Sequence, residues 1–168
     1  MNAASSVAQG IVIRRAEEAD CAMLAALAGE LGYANQASQI ADRLAKLSQM
    51  PSSEHAIWVA QEVIQGAAQE GVQDTQGQLH GWAHVRAMHQ LNLPSYAELV
   101  ALVVAKGSKR QGIGQQLIAQ VENWTQAQQL AELRLYSSMQ RQAEAHQFYL
   151  RLGYQAVKQK MLFCKRWD

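Results

Sequence analysis

A chain of 168 residues with 49% apolar residues has the size and composition of one domain with its own core, which excludes wholesale disorder. Fifteen Lys and Arg against 14 Asp and Glu leave a formal charge of +1, so nothing global favours nucleic acid and any anion site must be local. Cys21 and Cys164 stand far apart in no metal or redox spacing. With no secretory pattern and no apolar run of spanning length, the expectation is a cytoplasmic protein with reduced thiols and no membrane partner.

Residues 1–10 are small and polar and read as a disordered leader ahead of a single domain over 11–168. Ile11 to Arg15 alternates as a strand. Glu17, Glu18 and Asp20 place acid before a helix carrying Leu24, Leu27 and Leu31, which suits its dipole, and Gly32 ends it. Asn35 is positioned to cap a second helix, with Ile40, Leu44 and Leu47 inward and Pro51 as its stop. Ala56 to Gln61 reads as a strand. Val63 to Gln78 has no period and reads as a long strand-to-strand connection. In the strand Leu79 to Met88, Trp82, His84 and Arg86 share one face, and Ala83, Val85 and Ala87 the other. Pro94 and Ser95 mark a turn. Tyr96 to Val104 is the most apolar strand and is expected at the centre of the sheet, buried on both faces.

A basic, glycine-containing loop follows, Lys109-Arg110-Gln111-Gly112-Ile113-Gly114, and then a helix from Gly112 to Gln129 with Ile113, Leu117, Val121 and Trp124 on one face. Backbone N–H groups opening a helix lack intrahelical partners and can point at an anion, and glycine lets the main chain approach it. The plainer alternative is a packing turn, and Lys106, Lys109 and Arg110 weigh against it. No third small residue completes a dinucleotide fingerprint, because Leu117 stands there, and no Gly-Lys-Ser/Thr ending makes a P-loop. Leu133 to Ser137 reads as a strand. Gln142 to Leu152 reads as a helix with Ala145, Phe148, Tyr149 and Leu152 on one face, closed by Gly153. Tyr154 to Lys158 and Lys160 to Lys165 read as two last strands. The order β-α-α-β-β-β-α-β-α-β-β predicts an α/β fold, a mixed and mostly antiparallel central sheet flanked by about four helices. His55, His80 and His89 have no ligand spacing, and no metal site is expected.

Lys109-x-x-Gly112-x-Gly114 after the apolar strand, followed by Ala145-x-x-Phe148-Tyr149 and Gly153-Tyr154, resembles the two signatures of the GNAT superfamily of acetyl-CoA-dependent N-acetyltransferases. The order of elements fits from Ile11 onward. Lys109 stands where the family has Arg or Gln, with Arg110 beside it, and Gln142 stands where Asn is frequent, so Ser137 or Ser138 is an alternative contact to the pantetheine arm.

The resemblance implies direct transfer of acetyl from acetyl-CoA to a primary amine of a small molecule or peptide. It implies a diphosphate held by Lys109, Arg110 and the backbone from Gln111 through Gly112, Ile113, Gly114 and Gln115, and a pantetheine arm paired to the strand edge at Leu102, Val103 and Val104. An amine with a pKa of about 10.4 arrives protonated. Glu98, expected to be partly desolvated by its pattern neighbours Val100 and Leu102, is the implied base, with His84 in reserve. Tyr149 is the implied acid toward the departing thiolate. The acceptor site falls by resemblance near Tyr33, Trp82, His84 and Arg86, and Trp82 offers cation–π attraction for an amine. Family members are often homodimers, for which Met161-Leu162-Phe163 offers an apolar edge. A non-catalytic acyl-CoA-binding module on the same fold is the alternative, to be separated by turnover in Tyr149 and Glu98 variants.

Overall fold

Strands β1 (Ile11–Arg15), β2 (His55–Glu62), β3 (Leu79–Gln90), β4 (Leu93–Val104) and β5 (Leu133–Leu135) lie side by side in that order in one sheet. The first four pair antiparallel, and β5 joins β4 in parallel. Helices α1 (Cys21–Glu30) and α2 (Ala37–Ser48) lead from β1 to β2. Helix α3 (Ile113–Ala127) leads from β4 to β5, and α4 (Gln147–Arg151) comes after β5. This is the mixed α/β architecture expected from the element order. The structure, a computed structural model, describes residues 10–63, 77–137, 142–158 and 161–167, without the side chains of Gln142 and Ala143. Nearly all of the expected leader and most of the connection after Val63 lie outside the described residues. The chain divides into two compact units, Met1–Leu135 and Tyr136–Asp168.

In the first unit the ladder sets two faces. Val59, Trp82 and Val103 stand opposite one another across β2, β3 and β4, as do Ile57, His84 and Ala101. Leu24 and Leu27 of α1 pack into the buried cluster with Val59, Leu79 and Val103, and Ile40 of α2 packs against it. On the other face α3 buries Ile113, Leu117, Ile118 and Val121, each at most 1% exposed. Gly81 makes that approach possible: a Cβ there would stand 2.5 Å from the Val103 carbonyl oxygen and 3.2 Å from Leu117.

Three local expectations are corrected. The cap of α2 is Gln36, whose side chain and that of Gln39 form a reciprocal capping box. Asn35 instead donates to the Tyr33 carbonyl at 3.0 Å and accepts from Arg43 at 2.6 Å. Pro94 lies inside β4, not in a turn. The chain reverses at Leu91–Asn92, since Gln90 pairs with Leu93, and proline's missing N–H is tolerated where a strand begins. The centre of the sheet is β3, not β4. Among the described residues β4 has only the three-residue β5 on its far side, and Val100 is 45% exposed. A continuous apolar run is read as central because burial is assumed on both faces; here part of that run borders an opening.

In the second unit a π-helical turn over Gln142–His146 runs into α4. The left-handed Gly153 (φ 89°) closes it, and the Tyr154 N–H returns to the Tyr149 carbonyl. The two last strands expected from alternation are not formed among the described residues: 154–158 and 161–167 lie in no ladder, with Val157, Met161, Leu162 and Phe163 exposed. Alternation describes two faces but not a neighbour, and a strand exists only where a neighbour takes its backbone hydrogen bonds.

Candidate active site

The sheet splits at Val100. His84 pairs with Ala101 but Val85 pairs with Leu99, so Val100 is an extra residue, a β-bulge. On the opposite edge β5 pairs with Ala97, Glu98 and Leu99 and ends there. The Ala105 N–H donates to the His80 carbonyl at 2.8 Å, which fixes the phase of the β3–β4 ladder. Alternate residues of an antiparallel strand face the partner. Ala101 and Val103 therefore turn their backbone groups to β3, and Leu102 and Val104 turn theirs to the opened edge, where they have no ladder partner among the described residues. An exposed strand edge accepts an amide-bearing ligand as it would another strand.

The same strand leads into the basic loop. A 3-10 turn, Lys106–Ser108, is pinned from two sides: the buried Ser108 hydroxyl meets His80 Nδ1 at 2.7 Å, and the Lys106 N–H donates to Glu30 at 2.9 Å. Arg110 (φ 63°) and Gly112 (φ 80°) both take the left-handed conformation, and Gly112 caps α3 without any side-chain hydrogen bond. The first intrahelical bond of α3 runs from the Gln116 N–H to the Gly112 carbonyl. The N–H groups of Ile113, Gly114 and Gln115 precede it and belong to the set that a helix leaves without intrahelical partners. Ile113 is buried and anchors this turn, while Lys109, Arg110 and Gln111 are exposed. The arrangement suits an anion.

A cleft of about 240 Å³ opens between α1, α2 and the sheet. Tyr33, Trp82 and His84, expected at the acceptor site, line it; Arg86 does not. Arg86 instead holds Glu98 at 2.9 Å, and Glu98 is well covered (13% exposed). The bulge changes the company that Glu98 keeps. Simple alternation pairs it with Val100 and Leu102, but the ladder places it opposite Arg86, on the face of Trp82, His84 and Ala101.

Burial, helped by His55 and Arg86, pushes His84 down to about 4. It is a neutral imidazole at physiological pH. Its ring stands edge-on to His55 at 5.9 Å, and the His55 Nε2 proton is given to the Leu47 carbonyl at 2.6 Å. His84 Nε2 and Trp82 Nε1 are buried and have no hydrogen-bond partner among the described residues.

In the second unit Tyr149 packs edge-on against Phe148 (5.1 Å) and Tyr154 (5.7 Å). Burial pushes its phenol up to about 12, so it is protonated at physiological pH. Ser138 and the side chain of Gln142 lie outside the described residues. Three features of the first unit escape sequence reasoning: the bulge at Val100, Gly81 under α3, and Arg43 at the cleft. Only the isolated glycine within a strand pattern carried a signal. Among the described residues no group of three or more His, Cys, Asp or Glu is arranged to hold a metal ion, and no helix is long and apolar enough to cross a membrane.

A sequence model of the acetyltransferase (GNAT) domain matches residues 53–156. No curated protein sequence matches significantly. Solved structures similar in fold include an aminoglycoside N-acetyltransferase, AAC(6')-Iy, in complex with CoA (TM-score 0.76, 16% identity, 94% of this chain and 95% of that one). Others are a glucosamine-6-phosphate N-acetyltransferase from Arabidopsis thaliana (0.71, 16%, 95% and 99%) and an acetyltransferase from Trypanosoma brucei (0.70, 19%, 93% and 100%).

Proposed function

The chain belongs to the GNAT acetyltransferase family, and from that premise we propose that it transfers acetyl from acetyl-CoA directly to a primary amine of a small molecule or peptide. The observation that carries the reading is the opened edge of β4 leading to the start of α3, which Gly112 caps without a side-chain hydrogen bond. These residues fit the donor: Leu102 and Val104 offer main-chain groups at amide spacing, and the loop from Lys109 to Gln115 offers cations and N–H groups for a diphosphate. The structures of AAC(6')-Iy with CoA are consistent with such a donor. The reading treats 11–168 as one acetyltransferase domain acting in the cytoplasm, with exposed Met161, Leu162 and Phe163 as the surface for a homodimer.

Bound acetyl-CoA supplies a thioester that is electrophilic at its carbonyl carbon. An outward N–H of β4 beside the bulge holds the carbonyl oxygen as it gains charge; one such donor is worth about 3 kcal/mol in enzymes where it has been removed. His84, neutral in the cleft, accepts a hydrogen bond from the amine. Glu98, on the same face, takes the amine's proton and must loosen from Arg86 to do so. Tyr149 donates its phenolic hydrogen bond to the departing sulfur. A phenol near 12 gives up its proton reluctantly to a thiolate whose ordinary pKa is about 8.5, so its contribution is a donated hydrogen bond more than a completed transfer.

The test is CoA release by Glu98→Gln and Tyr149→Phe proteins, with acetyl-CoA affinity measured alongside. The expected result is a fall in kcat of about 100-fold or more for Glu98→Gln and a smaller fall for Tyr149→Phe, with acetyl-CoA still bound. Binding of acetyl-CoA by the unaltered protein without turnover on any amine contradicts the transferase reading and favours a binding module.

A further inference from the structure

We propose that the acceptor is one small primary amine with an apolar body and a carboxylate, as an apolar α-amino acid presents, and not a polycation; the inference rests on the transferase reading above. At about 240 Å³ the cleft lies below the roughly 300–1,000 Å³ of sites for drug-sized ligands, so it holds a single small molecule. Its walls are Leu24, Leu31, Leu44, Leu47, Ile57 and Ala101, with the Trp82 and His84 rings at the sheet side. An apolar body is what such walls select.

The charge of the lining decides the rest. No Asp or Glu lines the cleft among the described residues; the charged side chain that does is Arg43. It is solvent-exposed and so stands at the rim. Its guanidinium donates to the Asn35 amide oxygen at 2.6 Å, and Asn35 is tied to the Tyr33 carbonyl at 3.0 Å. That ties the guanidinium to the rim through one of its five N–H donors, which the amide oxygen takes. A guanidinium at the rim is suited to a carboxylate and repels additional ammonium groups. The cleft therefore differs in chemistry from what a polycationic aminoglycoside would require, although aminoglycoside N-acetyltransferases share the fold.

The experiment measures CoA release by the full chain with acetyl-CoA and L-phenylalanine, L-leucine, phenethylamine or kanamycin, for the unaltered protein and Arg43→Gln. In parallel, calorimetry follows N-acetyl-L-phenylalanine binding in the presence of CoA. The expected result is kcat/KM for phenylalanine about 10- to 100-fold above phenethylamine, with kanamycin poorest, and a collapse of the phenylalanine advantage in Arg43→Gln, chiefly through KM. Preference for kanamycin or phenethylamine, or a phenylalanine advantage unchanged in Arg43→Gln, overturns the inference while leaving a transferase. If every amine is inert, saturable binding of N-acetyl-L-phenylalanine that weakens in Arg43→Gln still supports this cleft chemistry and counts against transfer alone. Inert amines with no such binding overturn the inference.

Discussion

Asp20 is fully buried, yet both its carboxylate oxygens are taken by Arg14 at 2.8 Å, and one also accepts the Glu17 N–H at 2.8 Å. Arg14 is about a quarter exposed and keeps Gln61 Oε1 and the Arg15 carbonyl as acceptors, so losing the Asp20 charge costs about 1–3 kcal/mol, the range for hydrogen bonds to charged groups. Asp20→Asn is therefore expected to lower unfolding stability by that order, as measured by urea denaturation, while Glu18→Gln at the exposed neighbour changes little. His84 adds a pH signature. Its folded value of about 4 lies below the ordinary 6.5, so between those values the unfolded chain binds the proton first. Stability is complete above about pH 6.5 and falls as pH drops toward 4, with a slope approaching about 1.4 kcal/mol per pH unit. Denaturation curves across that window should show the slope in the unaltered protein and lose it in His84→Phe. The sequence shows Asp20 only as an acid ahead of a helix. Its partnership with Arg14 is tertiary, and so is the cleft position of Arg43, whose helix shows an apolar stripe but not what that stripe faces.

At the scale of elements, the spacing of leucines in α1 and α2, the alternation of β3 and the stripe of α3 are local periodicities, and each survives folding. The bulge at Val100 does not announce itself, because Leu99 to Val104 is apolar throughout and carries no period to interrupt. That one inserted residue moves Glu98 from the company of Leu102 to the cleft face and releases Leu102 and Val104 to the open edge. Gly81 is the complementary device on the other face. Gly81→Ala puts a methyl 2.5 Å from a backbone oxygen, and overpacking of this kind costs about 1–3 kcal/mol, to be read as a fall in denaturation midpoint. Gly112 behaves differently, since a Cβ there meets nothing within 4 Å and only its φ of 80° is at issue. Gly112→Ala is expected to remain folded at a cost of about 1 kcal/mol and to bind acetyl-CoA more weakly, which calorimetry would measure.

Across the whole molecule, a strand order of β1 to β5 with one parallel pair leaves a sheet that is continuous at one end of β4 and divided at the other. Helices α1 and α2 wall a cleft on one face while α3 packs on the other and offers its first turn beside the divided end. The fold class and the loop were legible because they depend on order and local pattern. The last two expected strands do not form among the described residues, because pairing depends on a neighbour that no local pattern specifies. The central claim, a donor lying along the outer edge of β4 and ending at the first turn of α3, is tested most directly by residue-resolved amide hydrogen exchange with and without acetyl-CoA. Slowed exchange at Leu102, Val104 and Ile113 to Gln115 on adding acetyl-CoA is the predicted result. Unchanged exchange at those amides under saturating acetyl-CoA would contradict the account.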